Sequence, residues 1–334
     1  MTRTTTTTTR TATTTRATTT TRTATTTTTT PMLRGAFTAL VSPFNRDGSV
    51  DYAAFRDLVA WQIAEGIDGL VPCGTTGESP TLSREERETL ISMTVEAARA
   101  SRRSTPIPVI AGTGTNDTQA TIEATRRAAE LGADAALVVA PYYNRPDQRM
   151  LEAHYRAIAD DGALPVVVYN VPGRTGTNIE ATTLLRLAQH PRIVAVKEAS
   201  ANLDQISTIL RDRPAGFSVL AGDDAWTLMV ISHGGDGVVS VASNEIPAAM
   251  AALCDAATTG DRTEARRLHE RYLDLFRINF ISPNPVPVKA ALAAMGITTD
   301  NVRQPLLPLA DEQRTRLLTV LDAAGLLPAQ QAVA

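Results

Sequence analysis

Ile193-Val194-Ala195-Val196-Lys197-Glu198 reads as a short strand that ends on a charge. Four apolar residues in a row suit a strand covered on both faces, as in a parallel sheet. Lys197 then stands where the strand emerges from the sheet. Burial disfavours the charged form of a lysine, and a neutral amine is a nucleophile toward carbonyls. The ordinary alternative is a strand-end lysine that snorkels to solvent. The number of such strands, and the residues at their ends, separate the two readings.

Toward the N-terminus, apolar runs at 36–41, 69–73, 108–111, 135–140 and 165–169 have the same character, and 217–221 and 237–241 follow on the other side. Helical patterns lie between them. Asp51, Ser83 with Glu86 three residues on, Asp117 and Asp147 are placed as helix starts, and Gly66 as a helix stop. Eight strand–helix units in regular alternation predict a parallel sheet closed as a (β/α)8 TIM barrel over residues 32–259. An open doubly wound sheet is the alternative, but its G-x-G-x-x-G fingerprint is absent after the first strand. Helical patterns near 262–280, 285–295 and 311–325 predict a C-terminal helical extension, residues 260–334.

The chain has 334 residues, a net charge of −3 and 43% hydrophobic residues. That suffices for a large core and gives no electrostatic case for nucleic acid. No apolar run reaches the length of about 20 residues that spans a bilayer. Cys73 and Cys254, each in an apolar segment, fit a reducing compartment, so the cytoplasm is the expected setting. His154, His190, His233 and His269 are scattered without metal-ligand spacing, which argues against a metal-dependent aldolase or hydrolase. Residues 1–31 are nearly all threonine, with Arg3, Arg10, Arg16, Arg22 and three alanines. They predict a disordered tail. Its composition overlaps that of an organelle transit peptide, but the preferred readings are a tail without function or an artefact of a start chosen upstream of Met32.

In such a barrel the site lies at the C-terminal ends of the strands, and the unusual residues fall there: Thr75 and Thr76 after the second strand, Tyr142 and Tyr143 after the fourth, Tyr169 and then Arg174 after the fifth, Lys197 at the sixth and Gly222 at the seventh. Singly, each has an ordinary reading as a turn, rim or surface residue. On one rim they form a candidate site. A lysine amine can form an imine with a ketone, and the protonated imine draws off a neighbouring proton to give an enamine. Tyrosine and threonine hydroxyls can relay those protons. Backbone N–H groups of a Gly-Thr-Thr-Gly loop can hold a 2-oxo acid's carboxylate, and a guanidinium can hold a second one.

Gly74-Thr75-Thr76-Gly77-Glu78-Ser79, Pro141-Tyr142-Tyr143-Asn144-Arg145-Pro146, Tyr169-Asn170-Val171-Pro172-Gly173-Arg174-Thr175-Gly176, Val196-Lys197-Glu198-Ala199 and Gly222-Asp223-Asp224 stand in the order found in dihydrodipicolinate synthases, members of the N-acetylneuraminate lyase superfamily of class I aldolases. The resemblance runs from about residue 33 to about residue 326. It implies that Lys197 forms the Schiff base with pyruvate, that Tyr169, Thr75 and Tyr143 form a hydroxyl relay, and that Tyr143 serves the neighbouring subunit's site. Thr76 would bind the pyruvate carboxylate and Arg174 that of aspartate 4-semialdehyde, with Gly222 and Val239 lining the pocket through their backbones. The implied product is (4S)-4-hydroxy-2,3,4,5-tetrahydrodipicolinate, an intermediate toward diaminopimelate and lysine. The implied enzyme needs no metal or dissociable cofactor and is a homotetramer, a dimer of dimers. In lysine-inhibited members a histidine and a glutamate, among others, stand where this chain has Arg84, Arg87 and Ala120, while Ser79, Asn116 and Tyr142 remain. Two arginines repel a lysine ammonium, so weak or absent feedback is expected. A sister aldolase acting on N-acetylneuraminate or a 2-keto-3-deoxy sugar acid is the competing function, and a silent binding relative is the competitor from another class.

Overall fold

Four helix starts carry the caps that their sequence predicts. Asp51, Ser83, Asp117 and Asp147 each accept a backbone N–H of the first helical turn, and Ser83 and Glu86 make the reciprocal bonds of a capping box. Each such cap contributes about 1 kcal/mol. The structure, a computed structural model, describes residues 1–5 and 32–328. The tail expected at 1–31 therefore lies outside the described residues apart from its first five.

From residue 32 the elements alternate: β1 (Gly35–Ala39), α1 (Tyr52–Ala64), β2 (Gly69–Val71), α2 (Arg84–Ala100), β3 (Ile110–Gly112), α3 (Thr118–Glu130), β4 (Ala135–Val139), α4 (Gln148–Asp161), β5 (Val166–Asn170), α5 (Pro172–Thr175), α6 (Ala181–Leu187), β6 (Ile193–Glu198), α7 (Leu203–Asp212), β7 (Ser218–Ala221), α8 (Thr227–Ser232), β8 (Gly237–Ser240) and α9 (Pro247–Thr259). Then come α10 (Arg262–Ile278), α11 (Val286–Ala294) and α12 (Asp311–Ala323), close to the three helices expected there. Among the described residues, no helix is long and apolar enough to cross a membrane.

The strands pair in parallel in the order β2-β1-β8-β7-β6-β5-β4-β3. The pairing of β1 with β8 is the mark of a closing barrel and rules out the doubly wound alternative. The remaining seam, β2 to β3, is bridged by the Leu70 N–H to the Pro108 carbonyl at 3.0 Å and the Gly112 N–H to the Pro72 carbonyl at 2.9 Å. The fold is the (β/α)8 TIM barrel, with helices outside and a filled interior.

Two apolar layers follow from the period of two along each strand. Phe37, Val71, Ile110, Leu137, Val167, Ala195, Leu220 and Val239 fill the barrel. Ala36, Leu70, Ala111, Val138, Val168, Val196, Val219 and Val238 face the helices. Fully burying one such Val, Leu or Phe contributes about 1.5–3 kcal/mol. The strands end one or two residues away from several sequence expectations; at β1 and β8 the Val41 and Val241 N–H groups donate to the Asn244 and Asp224 side chains and not to a neighbouring strand. One connection differs in kind. The segment 170–176, expected as loop, holds the single turn α5, begun by Pro172 at its first position and closed by Gly176 at φ +72°.

Candidate active site

The strand quoted first keeps the boundaries read from its sequence, Ile193–Glu198. Alternation sends Ala195 into the barrel and Val196 toward the helices, so Lys197 points inward and Glu198 outward. Lys197 pairs in register with Tyr169 of β5, which also lies on the interior side. The lysine Nζ sits 4.3 Å from the centroid of the Tyr169 ring. Both side chains are buried, Lys197 at 4% exposure. The snorkelling alternative is thereby excluded: the amine ends inside the barrel mouth.

The same register places Asn170 beside Glu198 on the outer face. Asn170 Nδ2 donates to both Glu198 carboxylate oxygens, at 3.2 and 3.1 Å, and to Asn178 Oδ1 at 2.9 Å. The Ser200 N–H and Gln205 Nε2 also donate to Glu198. Burial pushes the Glu198 carboxyl above the usual carboxylate range, and these donors oppose the rise. The network ties β5, β6 and α7 together behind the lysine. Its members carried no functional reading in the sequence, although Asn170 and Glu198 stand inside the quoted motifs. Burial likewise raises Asp223, against the Ala225 N–H and the nearby charge of Lys197.

The loop after β2 is tightly wound. The Gly77 N–H donates to the Gly74 carbonyl and the Glu78 N–H to that of Thr75, both at 3.1 Å. Cys73 and Glu78 flank the turn in the left-handed region, at φ +58° and +53°. Among the described residues, the backbone N–H groups of Thr75 and Thr76 have no acceptor. They are donors ready for an anion. The Cys73 thiol is buried and pushed up to about 12 by that burial, so it is not a nucleophile here.

A cavity of about 200 Å³ opens above this loop. Thr75, Tyr142, Tyr169 and Arg174 share its wall with Leu137 and Val139. Arg174 reaches it from the turn α5, which sets an otherwise exposed guanidinium at the entrance. Lys197 is joined to the cavity through Tyr169. Thr76 is buried and its hydroxyl accepts from Asn284 Nδ2 at 2.9 Å. Gly222 donates its N–H to the Glu198 carbonyl at 2.8 Å. A Cβ there would stand 2.6 Å from that of Ala199, so close packing between the β6 and β7 ends requires glycine. Val239 lies in the interior layer. The single chain does not bring Tyr143 to this group: its ring is 90% exposed, on a backbone at φ +74°.

A protein-family model described as the Dihydrodipicolinate synthetase family matches residues 32–324. The 4-hydroxy-tetrahydrodipicolinate synthase of Chlorobium limicola is 50% identical over 297 residues, which are 89% of this chain and 99% of that protein. The chloride-inhibited dihydrodipicolinate synthase of Acinetobacter baumannii, solved in complex with pyruvate, is similar with a TM-score of 0.85 at 40% identity, over 88% of this chain and 99% of that one. The dihydrodipicolinate synthase of Cyanidioschyzon merolae, solved with lysine bound, is similar with a TM-score of 0.85 at 42% identity, over 89% and 100% of the two chains.

Proposed function

This chain belongs to the dihydrodipicolinate synthetase family, and from that premise we infer which of its side chains carry the family's chemistry. The activity is that of a 4-hydroxy-tetrahydrodipicolinate synthase, a lyase of lysine biosynthesis. It joins pyruvate to L-aspartate 4-semialdehyde and yields (4S)-4-hydroxy-2,3,4,5-tetrahydrodipicolinate. The observation that carries the assignment of residues is the inward pairing of Lys197 with Tyr169, 4.3 Å from amine to ring centroid, at the barrel mouth.

Lys197 Nζ attacks the ketone carbon of pyruvate. Loss of water from the adduct leaves a protonated imine. That imine accepts the electrons released when the methyl carbon loses a proton, and the resulting enamine carbon forms the new bond to the aldehyde of the semialdehyde. The aldehyde oxygen takes up a proton and becomes the 4-hydroxyl. The semialdehyde's own amine then attacks the imine carbon, closes the ring and frees Lys197. Each step moves a proton. The hydroxyls of Tyr169 and Thr75, on one cavity wall, supply donors and acceptors for those transfers. Tyr143 is the third member of the relay. Its exposure on a strained backbone supports a role in a neighbouring subunit's site, within a dimer of dimers.

The free N–H groups of Thr75 and Thr76, with the Thr76 hydroxyl, take the pyruvate carboxylate. Arg174 takes the carboxylate of the semialdehyde at the entrance. Gly222 and Val239 line the pocket through their backbones. Pyruvate is held covalently on Lys197, and the steps above need no metal or dissociable cofactor. The intermediates and the two small substrates fit a cytoplasmic enzyme. Borohydride reduction in the presence of pyruvate, followed by peptide mass analysis, tests the assignment beside an assay with aspartate semialdehyde. An adduct on Lys197 and turnover of the semialdehyde are expected. A different modified residue overturns the nucleophile, and an adduct without turnover moves the chain to a sister aldolase.

A further inference from the structure

The carboxylate-binding loop is not held by the barrel alone. Its Thr76 and Glu78 side chains are held by residues more than two hundred positions later. Lys289 of α11 is fully buried, and its Nζ lies 2.6 Å from Glu78 Oε1 and 2.9 Å from the Ser42 carbonyl. The same ammonium sits 4.1 Å from the centroid of the Phe44 ring. The second oxygen of Glu78 accepts the Arg303 N–H at 3.0 Å. Ser42 in turn donates its hydroxyl to the Gly77 carbonyl at 2.8 Å. Glu78 keeps its left-handed backbone, a conformation that costs a non-glycine residue free energy, with both carboxylate oxygens bound. Asn284 Nδ2 donates to the Thr76 hydroxyl oxygen at 2.9 Å, while the buried Asn284 Oδ1 has no partner among the described residues.

We propose that Asn284, in the turn before α11, and Lys289, on α11, are positioning residues for pyruvate: Asn284 turns the Thr76 hydroxyl into a donor, and Lys289 fixes the loop that presents it. This rests on the assignment of Thr75 and Thr76 to the pyruvate carboxylate. A hydroxyl has one hydrogen to give. When its oxygen accepts from the Asn284 amide, that hydrogen is left for another acceptor, and a carboxylate is the strongest acceptor on offer. An amide facing the other way would consume the hydrogen and leave Thr76 nothing to donate. Lys289 acts at a longer lever. Glu78 is two residues from Thr76, and its carboxylate is bound on both oxygens, so the backbone between them has no freedom to swing its N–H groups away from the cavity.

Asn284→Asp tests the first half. The change is isosteric and replaces the donor by an acceptor that carries charge. The KM for pyruvate is expected to rise about tenfold or more, and the pyruvate concentration that half-saturates borohydride trapping on Lys197 is expected to rise in parallel. The KM for aspartate semialdehyde is expected to stay within about twofold. The double variant Glu78→Gln with Lys289→Met tests the second half without leaving a lone buried charge. Circular dichroism and thermal melting establish that it folds, and it is expected to show the same selective loss at pyruvate. Unchanged pyruvate dependence of trapping in either folded variant overturns the half it tests. So does an equal rise in both KM values. If the unsubstituted enzyme itself gives no adduct on Lys197, the functional assignment fails instead, which keeps the two failures apart.

Discussion

Lys197 shows how far one residue can be read from its neighbours. The period of two sets it on the face of Ala195, a local fact that holds in the structure. Its place at the end of an apolar run left burial and snorkelling both open, and the closed barrel decided for burial. Arg174 is the opposite case. Its identity was legible in the Pro-Gly-Arg-Thr motif, but its position depends on α5, a single turn that its short sequence does not announce against the loop-forming bias of Pro172 and Gly173. Arg174→Ala is expected to lower kcat/KM for aspartate semialdehyde by about 10- to 100-fold, the loss of about 1.5–3 kcal/mol that accompanies a hydrogen bond to a charged group. Borohydride trapping of pyruvate on Lys197 is expected to be unaffected. Parallel loss of both would assign Arg174 to the structure of the rim and not to the second substrate.

Among elements, the helices were the most legible, because the four starts read at Asp51, Ser83, Asp117 and Asp147 are side-chain caps that need only a few adjacent residues. The groove between α2 and α3 was legible only in part. Arg84, Arg87 and Ala120 face a cavity of about 500 Å³ there. From the sequence, Arg84 and Arg87 alone oppose a lysine ligand. The structure adds Arg126 and Arg127, and also three carboxylates, Glu88, Glu123 and Glu130. Two of those are already engaged: Glu88 by Arg84 and Arg127, each at 2.9 Å, and Glu130 by Arg127 at 2.7 Å. The surplus is positive, and a lysine ammonium placed there meets bound carboxylates and unspent guanidinium charge. Titrating L-lysine into the assay is expected to give little inhibition below millimolar concentration. Strong inhibition in that range would mean that Glu123 or a second subunit supplies the missing counter-charge.

Across the whole molecule, pairing of β1 with β8 closes the barrel and brings residues far apart in sequence onto one rim. Tyr143 stays outside that rim in the single chain, so the assignment of its hydroxyl to another subunit has a direct test. Tyr143→Phe and Lys197→Ala variants, each nearly inactive, are expected to recover activity when mixed under conditions of subunit exchange. A mixed pair then holds one site with Lys197 from one chain and Tyr143 from the other. No recovery in verified mixed oligomers would put Tyr143 in its own chain's site or outside the relay. The alternation of the strands, their number and the chemical types at their ends were determined by the sequence alone, because a strand's facing and a helix's cap depend on residues within one or two turns of each other. Only the tertiary structure decided that Glu78 meets Lys289 across 211 positions, that Thr76 meets Asn284 across 208, and that Asn170 and Glu198 lock the outer face behind the lysine. Those contacts exist because closing the barrel and docking the later helices remove these groups from water, and a buried polar group must then find whichever partner the fold brings to it.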